Sequence, residues 1–295
     1  MAFTPDEIWS HLRRLASVSR EPLPVDPLDR RDPEFLLAER DFLGAACDAW
    51  YAPDLAGLDH LPQGRALVVG THNGGFMAPD MFSLMVGFWR HFGADRPAYG
   101  LAHDMVFRLP WAGRWIAKLG GVPAHPENAR ALLERDVAVL VYPGGDVDAY
   151  KPFAERHVVK LAGRKGFVRL AVRTGAPIVP VVSVGAHEIM YVLTDGAELA
   201  QRLGLKRRFR MDVLPVALTL PFGITVGALV PYVPMPTKIR IRVLPPIDLG
   251  LPPSAADDAA AIDTAYEKVR GAMQTALDDL VRQGGFGPRA RLAAS

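Results

Sequence analysis

Three short apolar runs constrain this chain more than any other feature. They are Ala66-Leu67-Val68-Val69-Gly70, Ala138-Val139-Leu140-Val141-Tyr142 and Ile178-Val179-Pro180-Val181-Val182. A strand with one wet face alternates apolar and polar residues; a run without alternation reads as buried on both faces. Helical patterns separate these runs, including Met81 to Phe92, and Gly-rich loops follow the first two. The expectation is an α/β fold with a mainly parallel central sheet flanked by helices. Lys238 to Val243 alternates and reads as a half-exposed strand, and Ala255 to Gln283 as a closing helix. No internal repeat is visible.

Before the first run the pattern is helical. Pro5 to Ser17 places Ile8, Trp9, Leu12 and Leu15 on one side, Pro22 to Pro33 reads as a linker, and Pro33 to Tyr51 as a second helix. This predicts an N-terminal helical cap over 1–60, a main domain over 61–283 and a flexible tail over 284–295. With 22% charged and 49% hydrophobic residues in 295, a full core is feasible. A single cysteine, Cys47, excludes an internal disulfide framework and an all-Cys metal cluster. Met1 to Asp6 has no basic flank or apolar core of a secretory signal, which points to the cytosol.

The net charge of +2 hides an asymmetry: residues 1–60 hold 12 acidic and 6 basic side chains, so the excess of cations lies later. Residues 151–173 hold seven Lys/Arg against one acid, and Arg202, Lys206, Arg207, Arg208 and Arg210 form a second cluster. Such clustering fits an anionic partner; solvated helix faces are the alternative. Just after the second cluster, residues 213–237 run for 25 positions without a charge. Seven prolines and glycines in the run argue against a spanning helix. It reads as a membrane-contact segment, interfacial or dipping, with Arg207, Arg208 and Arg210 meeting lipid headgroups; a buried Pro-rich excursion is the other reading.

Chemistry-bearing residues gather where strands end. His72-Asn73-Gly74-Gly75 follows the first run, and a His at a strand's C-terminal end suits a general base. Gly74 and Gly75 let the backbone approach a ligand. The second run leads into Pro143-Gly144-Gly145-Asp146-Val147-Asp148-Ala149-Tyr150-Lys151. Gly144 and Gly145 can offer oxyanion-type N–H donors, and Asp146 or Asp148 can bind an acceptor hydroxyl or orient a base, although Pro, Gly and Asp are also ordinary turn formers. Arg164-Lys165-Gly166 puts cations at a helix start, a natural anion site.

Together with Thr174-Gly175-Ala176-Pro177-Ile178-Val179-Pro180-Val181 and Gly120-Gly121-Val122-Pro123-Ala124, these motifs resemble the phospholipid/glycerol acyltransferase superfamily, in the branch of the type-2 diacylglycerol acyltransferases and their bacterial relatives. The likeness runs from about residue 60 to 245. It implies transfer of a fatty acyl group from acyl-CoA, as a substrate rather than a cofactor, or from acyl carrier protein, to a glycerolipid hydroxyl such as that of a lysophospholipid or diacylglycerol. By the same resemblance His72 is the base, with Asp80 as its catalytic partner, and Lys151, Arg164 and Lys165 meet CoA phosphates. The enzyme would work on the cytoplasmic side of a membrane, peripheral or monotopic. Two departures stand out. The superfamily's Asp five residues after the His is here Met77, leaving Asp80 either to reach the imidazole or only to cap a helix; and the Phe-Pro-Glu-Gly block is here Tyr142-Pro143-Gly144-Gly145, without its acid.

Other chemistries find less support. His103-Asp104 and His187-Glu188 lack a third ligand at metal spacing, so no metal site is expected. No P-loop, Rossmann fingerprint or Gly-x-Ser-x-Gly elbow occurs, and the basic clusters lack the aromatic interleaving of a nucleic-acid platform. A thioesterase or lipid hydrolase in which His72 activates water, and a non-catalytic lipid-binding module, are the rival functions.

Overall fold

A computed structural model describes residues 4–18, 22–228 and 232–292. The strands are β1 Asp54–Ala56, β2 Ala66–Gly70, β3 Ala98–Ala102, β4 Gly121–Pro123, β5 Ala138–Val141, β6 Ile178–Val184, β7 Tyr191–Thr194, β8 Val216–Thr219, β9 Gly223–Val226 and β10 Arg240–Val243. The helices are α1 Pro5–Val18, α2 Pro33–Tyr51, α3 Pro79–Phe92, α4 Asp104–Arg108, α5 Pro110–Lys118, α6 Pro126–Glu134, α7 Gly145–Ala149, α8 Gly166–Thr174, α9 Ala197–Arg202, α10 Leu205–Phe209, α11 Ala259–Gln283 and α12 Gly287–Leu292.

Among the described residues, seven strands form the central sheet in the order β1-β10-β6-β2-β5-β3-β4. The five strands from β6 to β4 are mutually parallel, as the continuous apolar runs require; β10 joins β6 antiparallel, and β1 lies parallel to β10. Alternate side chains fill two cores. Ala66, Val68, Val179 and Val181 pack with α2 and α3 through Leu36, Leu84 and Trp89. Leu67, Val69, Ile178 and Val182 pack with α6, α8 and α11 through Leu132, Val168 and Val269. Local signals set the helix ends. The Asp32 carboxylate accepts from Phe35 N–H at 3.0 Å ahead of Pro33, and the Asp258 carboxylate accepts from Ala260 N–H at 2.9 Å to open α11.

The structure departs from the sequence reading in three places. Residues 1–60 are not wholly helical, because β1 sits at the edge of the central sheet. Part of the 213–237 run is regular: β8 and β9 form a hairpin that pairs with β7 in a separate three-stranded antiparallel sheet, and Leu229, Val230 and Pro231 of that run lie outside the described residues. Residues 284–292, read as frayed, include α12 and a backbone bridge between Lys238 and Gly287. Among the described residues no helix is long and apolar enough to cross a membrane.

Candidate functional site

β2 lies between β5 and β6, with Val69 opposite Val141 and Gly70 opposite Val181. The loops leaving the C-terminal ends of these strands therefore meet at one sheet edge, where open α/β sheets gather ligands. His72 N–H donates to Asp148 Oδ2 at 2.6 Å, so the two Gly-containing loops are joined directly. The His72 ring lies 5.0 Å from the Tyr142 ring at 36°, and its Nδ1 is buried with no hydrogen-bond partner. Burial pushes the imidazole down to about 4; Asp148 opposes this and Lys151 adds to it. The ring is thus neutral at physiological pH, the state a base requires. Gly74, at φ 75°, adopts a backbone that favours glycine, and a Cβ there would press on the Ala186 carbonyl.

Asp80 is buried, but its carboxylate serves the loop and not the imidazole. Oδ2 accepts from Asn73 N–H (3.1 Å), Asn73 Nδ2 (3.1 Å) and Ser183 Oγ (2.9 Å), and Oδ1 from Met81 N–H (2.8 Å). Burial raises it to about 7 against these donors. Asp80 therefore fixes Asn73, one residue from His72, and also bonds to the first turn of α3. Asp80→Asn keeps one acceptor oxygen but turns its amide against the Met81 N–H. The expected loss is about 1–3 kcal/mol of stability, read by urea unfolding, with a smaller proportional fall in turnover. Turnover lost at full stability would instead assign Asp80 to the imidazole.

The 143–151 loop is held from several sides. Gly145 N–H is already donated to the Tyr142 carbonyl at 3.1 Å, so this expected oxyanion donor is spent on the turn. Gly145 has φ 54°, and a Cβ there would meet the Arg164 guanidinium. Asp146 accepts from Asp212 N–H and pairs with Arg164 at 3.2 Å. Asp148 is buried, with Oδ1 2.6 Å from Lys151 Nζ and Oδ2 on His72. Lys151, expected at a phosphate, is fully buried; its ammonium also donates to the Val158 carbonyl at 3.2 Å. The other two cations diverge. Arg164 donates to the Pro143 and Gly144 carbonyls at 3.1 and 3.2 Å and to Asp212 at 2.8 Å, while staying 39% exposed beside the loop. Lys165 turns to Asp263 on α11 at 2.5 Å.

An apolar cleft opens on the sheet face that packs with α3. Val68, Leu140 and Val181 line its floor, and Leu84, Phe88 and Trp89 its helical side. Leu140 lies two residues before Tyr142, the ring beside His72. Sequence reasoning assigned no role to Asn73 or Tyr142 within their motifs, nor to Ser183 or Asp212. Ser183 did carry a signal: it is a lone hydroxyl in the buried strand Ile178–Val184. Asp212 carried none, since its role depends on Arg164 from 48 residues away.

Comparison with known proteins bears on this arrangement. A family model described as diacylglycerol acyltransferase matches residues 48–270. An uncharacterised protein of Mycobacterium tuberculosis is 32% identical over 280 residues, covering 93% of this chain and 75% of its own. 2-acylglycerol O-acyltransferase 3 of Homo sapiens is 33% identical over 147 residues, 48% of this chain and 43% of its own. Among solved structures, the 1-acyl-sn-glycerophosphate acyltransferase of Thermotoga maritima has a similar fold, with TM-score 0.53 and 16% identity over 92% of this chain and 89% of that one.

Proposed function

The chain belongs to the diacylglycerol acyltransferase family and is a lipid acyltransferase, and from that premise we propose that it moves a fatty acyl group from a CoA or acyl-carrier-protein thioester to a glycerolipid hydroxyl, with His72 as general base. The observation that carries this reading is the neutral His72 ring, with an unpartnered nitrogen, beside Tyr142 where the two Gly-containing loops meet at the strand ends. In this reading the acyl chain lies against the apolar sheet face of Val68, Leu140 and Val181, and the thioester carbonyl sits at the His72 edge. His72 accepts the proton of the acceptor hydroxyl as its oxygen attacks the carbonyl carbon. The tetrahedral intermediate then collapses, the C–S bond breaks, and the imidazolium gives its proton to the departing sulfur, leaving a free thiol and a neutral His72. Arg164, 39% exposed and bonded to the Gly144 carbonyl, is the cation this reading sets against a donor phosphate. The acceptor, a lysophospholipid, monoacylglycerol or diacylglycerol, is drawn from a membrane surface on the cytoplasmic side, with the protein peripheral or monotopic.

Incubation with a short-chain acyl-CoA and a panel of glycerolipids, read by lipid mass spectrometry, tests this. An ester product that requires His72 is expected; thiol release at the same rate with and without acceptor would make the protein a thioesterase instead. The pH profile supplies a second check. Because kcat/KM reports ionisations of the free enzyme, and the ring lies at about 4 instead of 6.5, the neutral base persists as pH falls through 6.5 and is lost near 4. The expected kcat/KM is nearly constant between pH 7 and about 5.5. Asp80, raised to about 7, titrates in the same range, so an acid limb centred near 6.5 that persists in Asp80→Asn would contradict the buried ring.

A further inference from the structure

The three-stranded sheet turns one side inward and leaves the other bare. Val192, Ala217 and Thr219 are buried, whereas Tyr191, Leu218 and Ile224 form one cross-strand row that is 43%, 43% and 67% exposed. Phe222, at the hairpin tip, is 62% exposed. A contiguous exposed apolar face of this kind marks a contact surface. Its charge pattern narrows the partner. No acidic or basic residue occurs from Val213 to Thr237. The connection from β7 to β8 carries α9 and α10, where exposed Leu203 and Phe209 flank exposed Lys206, Arg207 and Arg208. Apolar side chains interleaved with cations match the acyl boundary and headgroups of an anionic bilayer.

The sheet is also tied to the candidate site. Tyr150 donates its hydroxyl proton to the Ala228 carbonyl, just beyond β9, and accepts from Phe76 N–H at 2.8 Å. Tyr232 OH donates to the Gly74 carbonyl at 2.8 Å. Two tyrosines therefore join the segment that leaves β9 to the loop that follows His72. We propose that the outer face of β7-β8-β9, with the cations of α10, is the docking surface for an anionic bilayer and sets the His72 edge against the layer that supplies the acceptor. The docking stands on the exposed face and its charges; the supply of acceptor rests on the acyltransferase reading above.

The test is co-sedimentation of the full chain with vesicles of phosphatidylcholine, with and without phosphatidylglycerol. Binding should rise with phosphatidylglycerol and fall with salt. The Leu218→Asp/Ile224→Asp variant should lose at least about tenfold in partitioning at an unchanged melting temperature, since both side chains are exposed. Neutralising Arg207 and Arg208 should cost roughly fivefold each on phosphatidylglycerol vesicles and little on phosphatidylcholine. Wild-type sedimentation by the folded double-Asp variant would overturn the proposal. So would a chain that elutes as a dimer, becomes monomeric with the double-Asp change and still binds vesicles, because the face would then join two copies. Transfer from a short-chain acyl-CoA to a dissolved acceptor, without vesicles, separates the two readings. It should survive the double-Asp change while transfer to a vesicle-borne acceptor falls. If His72-dependent transfer is absent while docking persists, the acyltransferase reading fails and the docking surface stands.

Discussion

His72→Ala is expected to lower acyl transfer by roughly 10²–10⁴-fold, the usual worth of a positioned general base, with the melting temperature almost unchanged. The two halves of this expectation have separate physical grounds. The ring makes no hydrogen bond through Nδ1, so its removal leaves no buried partner unsatisfied. The bond that ties this residue to Asp148 comes from the backbone N–H, which alanine keeps. What is lost is the proton acceptor at the sheet edge. Product ester and free thiol, followed together in the presence and absence of acceptor, provide the measurement. Full transfer in the folded variant would refute His72 as the base. Loss of transfer with thiol release retained would place the lesion at activation of the acceptor.

The parts of this molecule that were legible in the sequence are those where one local pattern has one physical solution. Ala66–Gly70, Ala138–Val141 and Ile178–Val184 read as buried parallel strands because their apolar runs do not alternate; all of the first and third and the first half of the second lie inside. Their ends fixed where His72 and the 143–151 loop would meet, since chemistry at such sheets collects beyond the carboxyl ends. Pairings across long separations were not legible. β1 is three residues long and gains its place only from β10, far along the chain. β8 and β9 were read as an irregular membrane-contact segment, not as strands, because their partner β7 lies before two helices, and a hairpin of four-residue strands has little signal alone. Within the site, Asp80 was weighed between orienting the imidazole and capping a helix. Its main partners are Asn73 and Ser183, and the second of these comes from another strand.

Lys151 was the hardest residue to place, because a lysine in a basic stretch reads as solvent-exposed, and its variant separates the two placements cleanly. Lys151→Met is expected to destabilise the protein by about 3–5 kcal/mol, the usual result of removing one partner from a buried ion pair. That corresponds to a fall of roughly 5–15 °C in melting temperature for a chain of this size. The methylene stem is largely conserved by methionine, so little packing is lost. What remains is the Asp148 carboxylate, buried and facing only the His72 N–H on its other oxygen. Neutralising that charge should repair much of the damage, so Asp148→Asn/Lys151→Met should be more stable than Lys151→Met alone. The double-mutant cycle then measures the coupling of the pair. The coupling matters for function because Asp148 is the strut that joins the His72 loop to the Gly144 loop, and a lysine that neutralises it holds the site together without touching substrate. A phosphate-binding Lys151 predicts the opposite pattern: a raised KM for acyl-CoA, unchanged urea unfolding and no rescue by Asp148→Asn.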